Sequence, residues 1–119
     1  MTIWNEAPKN SLAVFEHLKL LAKRMRVESY GEIAAAIGKA EEREIAPVSL
    51  SRPLGFVRDK ICRPRGLPWL NALAINSSTW LPGDSFLPHD VAFGDDERVL
   101  WRATVLAVFA YPWNLVLVK

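Results

Sequence analysis

The stretch Ser29-Tyr30-Gly31-Glu32-Ile33-Ala34-Ala35-Ala36-Ile37-Gly38 decides how the rest of the chain is read. Ser29 stands three residues before Glu32, the spacing at which each side chain satisfies the other's backbone N–H at a helix start. Ile33, Ala34 and Ile37 then form a buried stripe, and Gly38 suits a left-handed stop. The alanines at 34, 35 and 36 let this short helix pack closely on a neighbour.

Downstream, Lys39–Pro47 reads as a long linker, and its Glu41-Glu42-Arg43-Glu44 run as a solvated loop. A second helix is expected at about Arg52–Arg63, capped by Ser49 or Ser51, with Pro53 tolerated in its first turn and Pro64 ending it. Leu54, Val57 and Ile61 point toward a core, whereas Arg52, Phe56, Asp59, Lys60 and Arg63 point away, with Gly55 beside them and Arg65-Gly66 following. Cations on such a face neutralise phosphates or reach base edges. A glycine lets a backbone approach, and an outward Phe56 stacks or wedges. The plain alternative is a solvated face with Phe56 tucked against a neighbour.

A short apolar strand, Ala72–Asn76, follows, and turn residues in Asn76–Thr79 and Leu81-Pro82-Gly83-Asp84 reverse the chain near Trp80. Trp80 is then either an exposed contact or a lid over the core. Helix, basic helix, strand and hairpin in this order is the plan of a winged helix-turn-helix. The fold class expected is α+β and mostly helical: that core, plus an extra N-terminal helix and a C-terminal helix.

Upstream, Asn10 or Ser11 caps an amphipathic helix running through Arg26. Val14, Phe15, Leu18, Leu21, Ala22 and Met25 line one side; Glu16, Lys19, Lys23 and Arg26 line the other. This reads as a packing helix, with Lys23, Arg24 and Arg26 as further phosphate contacts in the alternative. Toward the C-terminus, Ser85–Gly94 looks irregular, and Asp95, Asp96 and Glu97 sit where a helix start favours acids. Val99–Phe109 is apolar nearly all round, which predicts a well-buried helix, with a strand through Thr104–Phe109 as the competitor. Pro112 ends that element, and the tail from Trp113 to Lys119 is apolar enough to dock on the core or a partner.

The 119 residues fit a single domain, half of them apolar and 24% charged, as in ordinary globular proteins. A net charge of +2 means that any nucleic-acid footprint comes from local clustering. One cysteine and two histidines supply neither a disulfide nor a structural zinc set. No signal-peptide order and no bilayer-length apolar run is visible, so a cytoplasmic location without a membrane is expected.

Arg26-Val27-Glu28-Ser29-Tyr30-Gly31-Glu32-Ile33-Ala34, then Gly38, then Arg52-Pro53-Leu54-Gly55, resembles the helix-turn-helix of the O-alkylguanine-DNA alkyltransferases and the alkyltransferase-like proteins. The likeness spans roughly Arg26–Phe86. It implies a recognition helix in the DNA minor groove. Arg52 would fill the stack left by a flipped base, Tyr30 would lie near the flipped phosphate, and Ser29 would cap beside it. The family's Pro-Cys-His-Arg strand has no counterpart, because the corresponding stretch is about Asn71-Ala72-Leu73-Ala74. Cys62 lies in the basic helix instead. Alkyl transfer by an activated thiolate at that strand is therefore excluded.

No phosphate loop, metal-ligand cluster or nucleophile elbow is present. His17 reads as structural and His89 as a solvent-facing loop residue. Asp84, Asp90, Asp95 and Asp96 lack the Glu-x-Lys partner of a nuclease. The sequence thus points to a non-enzymatic protein without cofactor or metal that binds double-stranded DNA. Its candidate DNA-binding residues are Ser29, Tyr30, Arg52, Gly55, Phe56, Lys60, Arg63 and Arg65. The alternative is a protein-interaction module acting through exposed aromatics, which the five tryptophans and the acidic linker favour.

Overall fold

The computed structural model describes residues 2–82, 86–87 and 97–118, and side chains within that set except that of Glu97. Gly83, Asp84, His89, Asp90, Asp95, Asp96 and most of the irregular stretch expected at Ser85–Gly94 lie outside the described residues. The architecture is mostly helical α+β, with a two-stranded parallel sheet.

Helix α1 (Ser11–Arg24) is the element the others pack on: α2, α3, α4 and the turn at Leu70–Leu73 all rest against it. Its stripe of Val14, Phe15, Leu18, Leu21 and Ala22 is fully buried. The ends differ from expectation. Asn10 precedes the helix at φ 74° and makes no side-chain cap bond, while the Ser11 hydroxyl donates to the Pro8 carbonyl. The helix stops at Arg24, two residues short of the expected end, because Met25 turns left-handed at φ 53°. Met25 is consequently exposed, outside the stripe assigned to it.

Strand β1 (Glu28–Ser29) leads straight into α2 (Tyr30–Glu41). The capping box is present: Glu32 N–H donates to Ser29 Oγ at 3.1 Å, and Ser29 N–H donates to Glu32 Oε1 at 3.0 Å. Gly38 does not stop this helix. The left-handed residue is Glu42, at φ 57°, and Gly38 serves a close approach instead. A Cβ on Gly38 would lie 2.5 Å from the Arg43 carbonyl oxygen, so the returning linker needs that space.

After a 3-10 turn at Pro47–Leu50, helix α3 (Ser51–Phe56) continues unbroken into a π-helical stretch (Val57–Cys62) and a 3-10 turn (Arg63–Arg65). Pro64 explains the widening. It has no N–H for the Lys60 carbonyl, and its ring crowds that carbonyl in α geometry. The π turn relieves the crowding, and Arg65 Nη1 replaces the missing donor, reaching Lys60 O at 3.0 Å and Ile61 O at 3.1 Å. Gly66, at φ 64°, closes the segment.

The strand expected at Ala72–Asn76 is shorter. Leu70–Leu73 is a 3-10 turn, and only β2 (Ala74–Ile75) is extended, pairing in parallel with β1 so that Glu28 faces Ala74 and Ser29 faces Ile75. The reversal near Trp80 is present, with one antiparallel bridge between Ile75 and Pro82. The helix reading of the C-terminal element prevails over the strand: α4 spans Glu97–Ala110. Its burial differs from expectation. Among its described side chains only Val108 is fully buried, while Val99 and Leu106 are 60% and 67% exposed. Tryptophans staple this end: Trp101 Nε1 donates to Ala72 O, Trp113 Nε1 to Val108 O, and Trp4 Nε1 to Val118 O. Trp113 docks as expected of the tail, whereas Leu115 and Leu117 stay exposed. Among the described residues no helix is long and apolar enough to cross a membrane.

Candidate nucleic-acid interface

The candidate residues fall into three groups. Ser29 and Tyr30 sit at the start of α2. Arg52, Gly55 and Phe56 lie on α3, and Lys60, Arg63 and Arg65 on its continuation. The inner side of that continuous helix is locked down, with Pro53, Leu54, Val57, Ile61 and Cys62 all buried. Its outer side is therefore held in one orientation.

Arg52 and Lys60 are exposed, and neither side chain makes a hydrogen bond or ion pair to the described residues. At about 1.5 Å per residue they stand roughly 12 Å apart along the axis. Arg63 and Arg65 are exposed but already engaged. Arg63 Nη1 lies 3.5 Å from Asp59 Oδ1, and Arg65 caps the π-helix carbonyls. Asp59 also receives the bidentate guanidinium of Arg58, both bonds 2.8 Å long. That Arg58 hydrogen bond is the main reason the Asp59 carboxyl is held below its ordinary 3.8.

Arg58 is buried, and it was missing from the outward face read in the sequence. The signal was available: a helical wheel puts residue 58 within the Leu54–Ile61 stripe, so a charge there needed a partner. Phe56 follows the plainer of its two readings. It is half-buried, its ring centroid 5.9 Å from that of Trp4, which in turn rests 5.6 Å from Phe15. Gly55 is not sterically required, since a Cβ would meet only the Arg58 Nη2 end at 3.7 Å.

Arg52 lines a cleft of about 340 Å³ with Lys9, Asn10, Arg43 and Ser49. Arg43 bonds to Glu41 and to Asn10 Oδ1, tying the linker to the start of α1. Lys9 and Arg43 are cationic members of this surface that sequence reading left in loops, because their meeting depends on tertiary contact alone. The cleft adjoins the residues after α2, whereas Tyr30 opens that helix. With 12 residues in α2, the two ends are about 18 Å apart. Ser29 and Tyr30 thus belong to a different patch from Arg52.

Thiol chemistry has no footing here. Cys62 is fully buried, and burial pushes its thiol up to about 11. His17 Nε2 lies 2.7 Å from Glu28 Oε1, a pair that ties α1 to β1. Among the described residues no group of three or more His, Cys, Asp or Glu side chains is placed to hold a metal ion. Compared with family models, curated proteins and solved structures, the chain finds no match in any of them.

Proposed function

We propose that this chain is a small non-enzymatic DNA-binding protein built as a winged helix-turn-helix, with α3 and its continuation as the helix that meets the duplex. The observation that carries the reading is the pair Arg52 and Lys60: outward, their side chains without partners among the described residues, and fixed to a helix whose other side is buried. Lys9 lines the same cleft as Arg52 and adds a second cation there, with Glu44 also on its wall. Phosphate contacts of this kind give affinity that is insensitive to sequence and steeply salt-dependent. In this reading α2 and α3 form the helix-turn-helix and the Asn76–Pro82 reversal is the wing. The alkyltransferase-like resemblance supplies the minor groove as the expected docking site. Non-catalytic action fits the inert Cys62.

The test is fluorescence anisotropy of a labelled duplex across a salt series. Arg52→Ala and Lys60→Ala should each weaken binding to all sequences and lower the salt slope by about one unit. Unchanged affinity and slope in both variants would remove the helix from the interface.

A second reading, a protein-interaction module, is favoured by α4. Val99 and Leu106 face outward, and a shallow groove of about 560 Å³ runs between Pro68-Trp69 and the Leu100, Ala103 and Ala107 positions. Binding through that surface would barely respond to salt.

A further inference from the structure

Four of the five tryptophans are accounted for by the fold. Trp4, Trp101 and Trp113 donate their indole N–H groups to backbone carbonyls, and Trp69 packs edge-on against Phe86, ring centroids 6.0 Å apart. Trp80 is different. It is 70% exposed, and its side chain makes no hydrogen bond or ring contact to the described residues.

Its backbone is held firmly all the same. Asn76 N–H donates to Leu81 O, and Trp80 N–H donates to Asn76 O, each at 2.8 Å. Inside this ring, Ser78 N–H donates to Asn76 Oδ1 at 2.8 Å and Leu81 N–H to Thr79 Oγ1 at 3.2 Å. The Ile75–Pro82 bridge closes the base. Such a loop needs one residue with positive φ before the returning strand, a place where glycine or asparagine is the low-cost choice. Here the position holds Trp80, at φ 58°. The chain thus carries its bulkiest side-chain type where the backbone favours glycine, and leaves most of it exposed. An outlier of this kind points to what the side chain touches outside the fold.

The surroundings narrow the class of partner. Parallel pairing of Ser29 with Ile75 brings the ends of β1 and β2 side by side, so the turn springs from the same edge as Tyr30 and the start of α2. Arg26 is exposed just before β1, close enough for its charge to be felt at Glu32 of the capping box. An exposed indole on a hydrogen-bonded turn, beside the half-buried Tyr30 at the start of α2, is a platform on which an unpaired base can stack.

We propose that the Asn76–Pro82 turn is a stacking finger that takes an unpaired nucleobase, in a single strand or a bulge, on the face of Trp80. The inference rests on the nucleic-acid reading above and adds a second contact patch, separate from the one at Arg52 and Lys60.

The test uses the full chain, with Trp80→Gly and Trp80→Phe, against a labelled perfect duplex, the same duplex with a one-base bulge, and a labelled single strand. Loss of one stacked base should weaken binding of the bulge and the single strand by about 5- to 100-fold in Trp80→Gly, with partial rescue in Trp80→Phe. Perfect-duplex affinity should fall less than that of the bulge or the single strand, and the melting temperature should not fall, because glycine suits the φ. Bulge binding unchanged in Trp80→Gly overturns the finger, and so does an equal loss on all three probes. A lowered melting temperature would make Trp80 structural and overturn it as well. If Arg52→Ala weakens the duplex while Trp80→Gly weakens nothing, the finger alone fails. If the unmodified chain binds none of the probes, the nucleic-acid reading fails and takes the finger with it.

Discussion

Helices α1 and α4 have the same length, 14 residues, and a similar supply of apolar side chains, yet they sit in the molecule in opposite ways. In α1 the apolar residues recur on one side, with charges between them, and Val14, Phe15, Leu18, Leu21 and Ala22 all vanish into the core. In α4 apolar residues go all the way round, and the core can take only one side of them. Val108 is buried and Trp101 is held by its N–H to the Ala72 carbonyl, while Val99 and Leu106 are left outside. Periodicity therefore reports burial, and apolar content alone does not.

The widest separation should come from truncating the two helices. Leu18→Ala opens a hole at a fully buried site and should cost about 2–5 kcal/mol in urea unfolding. Leu106→Ser, at the foot of the scale, should change stability by less than about 0.5 kcal/mol. Equal costs would mean that the outward side of α4 is covered in solution, and the contrast would collapse.

Between these limits, α2 tests how tightly the α1 half of the molecule is clamped. Gly38→Ala drives a methyl group against the Arg43 carbonyl and should cost about 1–3 kcal/mol. No loss in the melting curve would mean that the linker yields freely. Ser29→Ala removes one arm of the capping box and should cost about 1 kcal/mol near neutral pH. The acid side of this prediction has a definite sign. Hydrogen bonds from the Ser29 backbone and hydroxyl hold Glu32 below its ordinary 4.5, so the folded-state value is depressed. Its contribution is complete above 4.5 and is lost as pH falls through the lower folded value. The difference between the unmodified chain and Ser29→Ala should then narrow in acid; a constant gap from neutral pH down would remove Glu32 from the cap.

Local physics was the legible part of the sequence. The Ser29–Glu32 box, most of the α1 stripe and the reversal at Trp80 each follow from side chains close in sequence, whereas Pro64 widens its helix instead of ending it. Where the reading missed, a distant group had intervened. Gly38 answers to the Arg43 carbonyl rather than to its own φ, and Phe56 answers to Trp4 from the first turn of the chain. Asn71–Leu73 folds as a turn because it packs against α1, an outcome no five-residue window contains. At the candidate interface, Arg52 and Lys60 could be picked out by position on the helix. That Arg65 was already occupied, and that Tyr30 stands an α2 length away from Arg52, required the assembled chain.

Arg65 makes a last consequence visible. Its guanidinium supplies the hydrogen bonds that Pro64 cannot give, so the end of the basic helix is held by a group that an arriving anion also attracts. The helix end and any phosphate near it compete for one donor. Recruiting Arg65 outward leaves the Lys60 and Ile61 carbonyls to water, which should speed amide exchange at Gly66 and Leu67 while Leu54 stays protected. An anion that drew Arg65 outward would therefore loosen the last turn in proportion to its pull.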